Sequence, residues 1–289
     1  MNRRHKVKII RQVQVVFAGQ PISEGAGVQL SRVIGTPQFN MLDPFLLFDA
    51  FSSDQPQDYI AGFPPHPHRG FETVTYMLAG KMRHQDSAGH EGTIEAGGVQ
   101  WMTAGKGIIH SEMPEQQDGL LAGFQLWVNL PKSHKMIEPA YQEKNGNEIA
   151  VESRDGLKIR VIAGQTQNGT TGIINNTFVE PIYWDIQQQP DTLFVESITA
   201  GHNGFVYVYE GEIKLSEGAN QRVSKGQVAV LTDGDSIEIR ALNGAKYLLI
   251  AGRPLDEPIA RGGPFVMNTR EEINQAIADY QMGRFGTQN

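Results

Sequence analysis

The sequence contains no cysteine among its 289 residues. This absence excludes disulfide bonds, thiolate metal sites and cysteine nucleophiles. Long hydrophobic runs are also missing, since no apolar stretch approaches the ~18 residues that a membrane-spanning helix needs. Residues 1–6 are basic, but the segment that follows mixes apolar with charged and polar residues and forms no signal-peptide core. We therefore predict a cytoplasmic protein that does not associate with a membrane.

Positive charge is in short supply, because 25 Lys and Arg residues face 32 Asp and Glu residues and leave a formal net charge of −7. This balance argues against direct binding to nucleic-acid phosphates, and no basic patch interleaved with aromatic residues stands out. Hydrophobic residues make up 39% of the chain and charged residues 20%. That composition is typical of a globular protein with a packed core.

Short runs of alternating apolar and polar residues recur along the chain and predict β-strands. They include residues 13–17, 73–78, 123–130, 157–162, 204–209, 228–231 and 246–251. Clusters of Gly, Asn, Asp and Ser separate these runs, which is typical of a β-sandwich or barrel. One helix is predicted at the C-terminus, where Thr269 and Glu272 form a capping box and Gly283 follows the last turn. Its apolar stripe contains Ile273, Ala276, Ile277 and Tyr280.

Two pairs of segments suggest an internal repeat. Residues 76–82 are similar to residues 207–213, with an offset of 131 residues from Gly80 to Gly211. Residues 98–105 are similar to residues 226–234, with an offset of 129 residues from Gly105 to Gly234. These offsets predict two copies of one β domain, over residues 1–134 and 148–289. Chance similarity between glycine-containing hairpins is the alternative explanation.

Histidine is sparse, but two motifs place potential metal ligands at alternate positions. These motifs are His66-Pro67-His68 and His110-Ser111-Glu112. Residues i and i+2 of a strand face the same side, so two facing strands would bring three imidazoles and one carboxylate together. This ligand set suits iron, manganese, nickel, copper or zinc, and it leaves coordination positions open for a substrate and O₂.

Either motif alone is weak, because a lone His-x-His is more often unrelated to metal binding. The combination predicts a site that holds one divalent metal ion. Three further potential ligands, His84, Asp86 and His90, lie in or beside a turn cluster. We interpret them as the rim of a hairpin rather than as part of the site. The sequence contains no phosphate-binding loop, no three-glycine dinucleotide fingerprint and no Gly-x-Ser-x-Gly motif.

Two long motifs closely resemble the pirin family of bicupins. They are GFPPHPHRGFETVTY at residues 62–76 and QWMTAGKGIIHSEMP at residues 100–114. Shorter segments at residues 43–46, 126–131 and 279–286 are also similar to pirins, so the resemblance covers nearly the whole chain. It implies an all-β fold of two tandem cupin barrels, which are double-stranded β-helices of jelly-roll type, with a C-terminal helix.

The resemblance also implies a ligand set in the first domain. Pirins hold one mononuclear metal, usually Fe(II), and the matching residues are His66, His68, His110 and Glu112. Many cupins take a ligand four residues after His-x-His, here Glu72, but pirins do not, so we assign Glu72 to packing or to support around the ligands. In the second repeat Ser197 and Thr199 stand at the histidine positions. We therefore expect no metal in the second domain.

Bacterial pirins similar to this chain are associated with quercetin 2,3-dioxygenase activity, in which O₂ opens the flavonol ring and carbon monoxide leaves. On this resemblance we expect a small aromatic substrate and O₂ as reactants, and Glu112 as the acceptor of the flavonol proton. Arg69 is a candidate for orienting the mouth of the site, with a surface salt bridge as the alternative. Five further residues are candidate substrate contacts, although each could belong to the core instead: Phe63, Phe71, Trp101, Met102 and Phe124.

A second function stays open, because eukaryotic pirins act as iron-dependent transcription cofactors. In that case the metal would control a surface that binds a protein partner, without physiological turnover of a substrate. Both functions require the same four ligands. Two cupin copies in one chain also lead us to expect a monomer, because single cupins obtain the same packing by dimerising.

Overall fold

A computed structural model describes residues 8–175, 177–215 and 222–285. Within these ranges the chain forms twenty-two β-strands, one α-helix and short 3-10 turns at Pro56–Asp58 and Lys132–His134. The first twelve strands are β1 (Val13–Ala18), β2 (Gln20–Glu24), β3 (Val28–Ile34), β4 (Phe45–Ser53), β5 (Phe63–His68), β6 (Phe71–Ala79), β7 (Lys81–Asp86), β8 (Glu91–Glu95), β9 (Val99–Thr103), β10 (Ile108–Pro114), β11 (Leu121–Asn129) and β12 (Ala140–Lys144). The remaining elements are β13 (Ala150–Arg154), β14 (Leu157–Ala163), β15 (Ile182–Gln188), β16 (Leu193–Ser197), β17 (Asn203–Leu215), β18 (Arg222–Ser224), β19 (Gln227–Leu231), β20 (Ser236–Gly252), β21 (Ala260–Gly262), β22 (Phe265–Met267) and α1 (Arg270–Gln281).

The described chain divides into two compact units that do not coincide with its two halves. One contains residues 20–149 and 255–285, and the other contains residues 8–19 and 150–254. We call them the 20–149 unit and the 150–254 unit. This division differs from the continuous domains 1–134 and 148–289, which stay a prediction from the sequence. The reason is strand pairing, because β1 pairs with β19, whereas α1 packs on the ribbon of β21 and β22.

The 20–149 unit is built from two antiparallel sheets and a short ribbon. A seven-stranded sheet has the order β12-β9-β6-β11-β4-β3-β2, and a four-stranded sheet has the order β5-β10-β7-β8. Strands β21 and β22 form the ribbon. One face of the larger sheet carries Leu30, Phe51 and Leu121, from β3, β4 and β11, in a single apolar cluster.

The 150–254 unit contains one nine-stranded sheet. Its main path is β1-β19-β17-β20-β15-β14-β13, with β16 paired to β20 and β18 paired to β17. Inward-facing apolar residues from most of these strands form one large cluster, which includes Trp184, Phe194 and Tyr247, each fully buried. Gly211 in β17 and Gly80 before β7 both adopt positive φ angles, of 76° and 79°. The first of the two glycine pairs in the predicted repeat therefore shares a backbone conformation that favours glycine.

The C-terminal helix α1 confirms the predicted capping box. The Thr269 hydroxyl accepts a hydrogen bond from the backbone N–H of Glu272, and the Glu272 carboxylate accepts one from the backbone N–H of Thr269. Ile273 and Ala276 pack against the ribbon, in a cluster with Phe265 and Met267. The predicted apolar stripe was partly wrong, because Ile277 and Tyr280 are each 39% exposed. Asp279 takes a place on the buried face instead.

No helix in the described ranges is long and apolar enough to cross a membrane. The basic residues 1–6, which entered the prediction of a cytoplasmic protein, lie outside the described residues, as does Gly286 of the last similar segment. The compartment stays a prediction.

Candidate metal centre

The two histidine motifs lie on neighbouring antiparallel strands of the four-stranded sheet. His66 pairs with His110, and His68 pairs with Ile108, between β5 and β10. Strand β5 contains three prolines, which it tolerates because it is an edge strand of that sheet. The nearest ligand nitrogens of His66, His68 and His110 all lie within 4.8 Å of one another. The alternation of the motifs thus brings the three imidazoles together.

Backbone carbonyl groups orient two of the imidazoles. Nδ1 of His66 lies 2.9 Å from the carbonyl oxygen of Pro64, and Nδ1 of His68 lies 3.5 Å from that of Pro264. Donation from both Nδ1 atoms leaves both Nε2 lone pairs for a ligand. These Nε2 atoms lie 3.1 Å apart. Two nitrogen ligands at about 2.1 Å from one ion, and at right angles, would be about 3.0 Å apart, so the spacing fits a shared metal ion.

The surroundings of His110 fit a metal ligand best. Both of its ring nitrogens are buried and have no hydrogen-bond partner among the described residues. Burial lowers the pKa of His110, and the neighbouring His68 and His66 lower it further. Burial, with a smaller contribution from His66, also lowers the pKa of His68 to about 3. Neutral imidazole is the form that binds a metal, so these residues could hold a divalent ion.

Glu112 lies on the same strand as His110, two residues further along, and lines the same cavity as His66 and His68. The register of β10 against β5 shifts between His110 and Glu112. The described residues whose ligand atoms lie within 4.8 Å of one another are the three histidines, without Glu112. The Thr75 hydroxyl lies 3.1 Å from Oε1 of Glu112 and 2.6 Å from Oε1 of Gln125, so two acceptors share its single proton.

A cavity of about 630 Å³ opens beside this centre. Its volume falls in the usual range for small-molecule sites. His66, His68 and Glu112 line it. The other lining residues include apolar side chains (Leu30, Leu47, Phe51, Phe63, Met82 and Trp127) and polar ones (Glu24, Arg32, Asp49, Thr75, Gln125 and Arg261). The arrangement suits a flat, mainly apolar ligand that carries a few polar groups.

Of the six predicted substrate contacts, Phe63 lines this cavity and the other five do not. Trp101 and Phe124 face away from it, because their neighbours Gln100 and Gln125 pair with Thr75 on the cavity side of the seven-stranded sheet. Met102 packs with Ala104 and Ile108 in a separate apolar cluster. Strand parity thus explains why Trp101 and Phe124 do not line the cavity, and the role of these residues as substrate contacts stays a prediction.

Phe71 and Arg69 lie behind the site. The ring of Phe71 contacts Trp127 at a centroid distance of 4.3 Å and His68 at 5.0 Å, so it supports both rings. Arg69 forms a buried ion pair with Asp279 at 2.7 Å, and its guanidinium group lies over the ring of Phe285. It therefore does not orient the mouth of the cavity, and the bridge is buried rather than on the surface.

Glu72 lies on the face of β6 opposite to Thr75. Its Oε1 atom accepts a hydrogen bond from the Thr103 hydroxyl at 2.7 Å, whereas Oε2 is buried without a partner among the described residues. Burial raises the pKa of Glu72 to about 7. The position agrees with the packing role expected for this residue.

The hairpin residues differ from the predicted rim. His84 is 4% exposed and contacts Glu143 at 2.5 Å, and the side chain of Asp86 is fully buried. His90 is exposed and contacts Asp86 at 3.2 Å. Only His90 therefore lies at a rim.

Several residues that line the cavity were not predicted from the sequence. Trp127 stood in a segment similar to pirins, and alternation with Phe124 and Leu126 would have placed it on the cavity side of β11. Arg32, Asp49 and Arg261 gave no local signal: Arg32 meets Asp49 through the pairing of β3 with β4, and Arg261 reaches the same cavity from the distant ribbon.

The two-sheet fold and the histidine centre define a cupin, and the chain contains two cupin domains. Residues 27–128 match the family model Pirin, and residues 183–286 match the Pirin C-terminal cupin domain. The chain therefore belongs to the pirin family.

Relatives extend over almost the full length of the chain. A pirin-like protein of Caulobacter vibrioides is 50% identical over 96% of this chain and 99% of its own length. Human pirin is 43% identical over 96% of this chain and 94% of its own length. The crystal structure of quercetin 2,3-dioxygenase from Acinetobacter baumannii superposes with a TM-score of 0.89 at 34% identity, and it covers 96% of this chain and 99% of that chain.

Proposed function

We propose that this pirin is a metal-dependent dioxygenase that cleaves a flavonol such as quercetin with O₂ and releases carbon monoxide. The observation that carries the proposal is the set of three convergent imidazoles beside a 630 Å³ cavity with aromatic walls. The similarity to a structure named quercetin 2,3-dioxygenase supports the choice of substrate.

His66, His68 and His110 would hold the metal ion, and Fe(II) is the proposed metal, with Mn, Ni, Cu and Zn as alternatives. When bound, the ion supplies Lewis acidity that lowers the pKa of an enolic hydroxyl, and iron adds redox chemistry with O₂. Whether Glu112 becomes a fourth ligand stays a prediction. The second domain is still expected to bind no metal.

The protein side chains would position the substrate and move one proton. Glu112 would accept the proton of the flavonol hydroxyl, and the contact with Thr75 would hold its carboxylate toward the cavity. Trp127, Phe63 and Phe51 would pack against the flat rings and exclude water.

Oxygen uptake with quercetin tests this function. We would compare the iron-reconstituted wild type with the His66→Ala/His68→Ala double variant. Uptake by the wild type alone would support the dioxygenase. Absence of uptake by wild-type protein that contains bound metal would overturn it and favour the metal-gated regulator that binds a protein partner.

A further inference from the structure

The cavity contains two guanidinium groups with different surroundings. Arg32 is fully engaged, because Nε and Nη2 donate to the two carboxylate oxygens of Asp49 at 2.9 and 2.8 Å. Its Nη1 atom donates to Glu24 at 2.9 Å. Arg32 therefore has little capacity left to bind a ligand.

Arg261 has no such partner. It lies on β21, and its Nη1 atom donates to the carbonyl oxygen of Leu46 at 3.3 Å. No carboxylate among the described residues lies within the ion-pair distance of 4.0 Å from it. An arginine has five N–H donors, so most of those of Arg261 have no acceptor among the described residues, and the side chain lines the cavity.

The charge of Arg261 is also poorly compensated. Burial lowers the pKa of this guanidinium, and the positive charge of Arg32 lowers it further, against a smaller opposing effect of Asp49. The group stays protonated because arginine titrates far above neutral pH. A cation in these surroundings would gain from an anionic partner.

Trp127 connects this cation to the metal centre. The Arg261 guanidinium lies 5.3 Å from the Trp127 ring centroid, and the His68 ring lies 5.1 Å from the same indole. An aromatic ligand that lies along Trp127 would thus extend from the histidines toward Arg261.

We propose that Arg261 recognises an anionic oxygen of the substrate, so that the cavity selects planar aromatic ligands bearing a carboxylate or an ionised phenol away from the metal-binding end. This inference rests on the proposed function only in one respect, namely that the other end of the ligand binds the metal ion. Guanidinium groups bind carboxylates and other anionic oxygens through paired, charge-assisted hydrogen bonds, which gives both affinity and orientation.

Equilibrium binding of a matched ligand pair tests the inference without turnover. We would titrate 2-naphthoate and 2-naphthamide into the metal-loaded and the chelated protein by calorimetry. The variants are Arg261→Met, which keeps the aliphatic packing on Trp127, and Arg261→Lys, which keeps the charge. Arg83→Met is the matched control, because Arg83 pairs with Glu91 on the surface. Thermal melting would show that each variant is folded.

We expect wild type, with or without metal, to bind 2-naphthoate at least roughly 10-fold more tightly than 2-naphthamide, as for the loss of one charge-assisted hydrogen bond. Arg261→Met should abolish this preference, Arg261→Lys should keep part of it, and Arg83→Met should keep all of it. A wild type without the preference, or Arg261→Met with it intact, would overturn the inference.

A second ligand pair separates this inference from the proposed function. Quercetin and 3-hydroxyflavone share the metal-binding end, but only quercetin carries ring phenols. Without O₂, Arg261→Met should weaken the binding of quercetin and leave the binding of 3-hydroxyflavone unchanged. If metal-loaded wild type binds neither flavonol while the naphthoate preference still depends on Arg261, the flavonol function fails and the anion site stands.

Discussion

Nη1 of Arg69 donates to Oδ2 of Asp279 at 2.7 Å, and this buried ion pair joins the residue after His68 to the C-terminal helix. The same Arg69 donates from Nε to the carbonyl oxygen of Lys106 at 2.5 Å. The helix therefore fixes the end of β5 that presents a candidate metal ligand.

Asp279→Asn should weaken this connection, because it leaves the Arg69 guanidinium buried without its counter-charge. We expect a loss of roughly 1.5–3 kcal/mol in the free energy of unfolding and roughly a 10-fold loss in metal affinity through misplacement of His68. Denaturant unfolding and metal titration would measure both. Glu91→Gln is the control, since its exposed pair with Arg83 should contribute under about 1 kcal/mol. Wild-type stability of Asp279→Asn would contradict the prediction.

Glu112→Gln should separate proton transfer from metal binding. The amide keeps the shape of the side chain and an acceptor for Thr75 but cannot take the substrate proton. We expect kcat for quercetin to fall by roughly 10²- to 10⁴-fold. Metal content per chain, measured in parallel, would report whether Glu112 is also a ligand. Ser111→Ala on the same strand is the control, and an unchanged kcat in Glu112→Gln would remove Glu112 from the mechanism.

Glu72 should make stability depend on pH. Burial raises its pKa to about 7, from the ordinary value of 4.5. The folded state therefore binds more protons than the unfolded state between these values, and stability falls as pH rises through this window. Full ionisation should cost roughly 3 kcal/mol. The free energy of unfolding of Glu72→Gln, taken relative to that of wild type, should therefore be higher at pH 8 than at pH 4.5 by about this amount. A difference in the free energy of unfolding that does not change with pH would contradict the raised pKa of Glu72.

Lys135 should contribute to the attachment of the ribbon. Its Nζ atom donates to the carbonyl oxygens of Gly70 and Val266 at 2.7 and 3.0 Å and to Oδ1 of Asn129 at 2.7 Å. Lys135→Met would leave these acceptors without their donor, and we expect a loss of roughly 2–3 kcal/mol in the free energy of unfolding. Lys106→Met is the control, because Lys106 pairs with Glu138 in exposed surroundings. Equal melting temperatures of both variants would refute this role.

Local patterns in the sequence were sufficient for much of the fold. Alternation identified the all-β class, the capping box at Thr269 was found where predicted, and the His-x-His and His-x-Glu motifs on paired strands brought three imidazoles together. The cavity walls were harder to predict. Whether Phe124 or Trp127 faces the cavity depends on how β11 is aligned with its neighbouring strands, and a shift by one residue exchanges the two faces. Arg261 could not be predicted at all, since it lies on a ribbon that is far along the chain from the strands that form most of the cavity wall.

The exchange of terminal segments between the two units sets an order for folding during synthesis. A ribosome releases residues 20–149 long before residues 255–285 emerge. The 20–149 unit therefore lacks its ribbon and helix until translation is nearly complete. The first strand, β1, emerges early but pairs with β19, which emerges late. Domains that are continuous in sequence can fold one after the other on the ribosome. In this chain the 20–149 unit stays incomplete until residues 255–285 have emerged, after every residue of the 150–254 unit, so a nascent chain arrested before residue 255 should acquire neither a complete cavity nor Arg261.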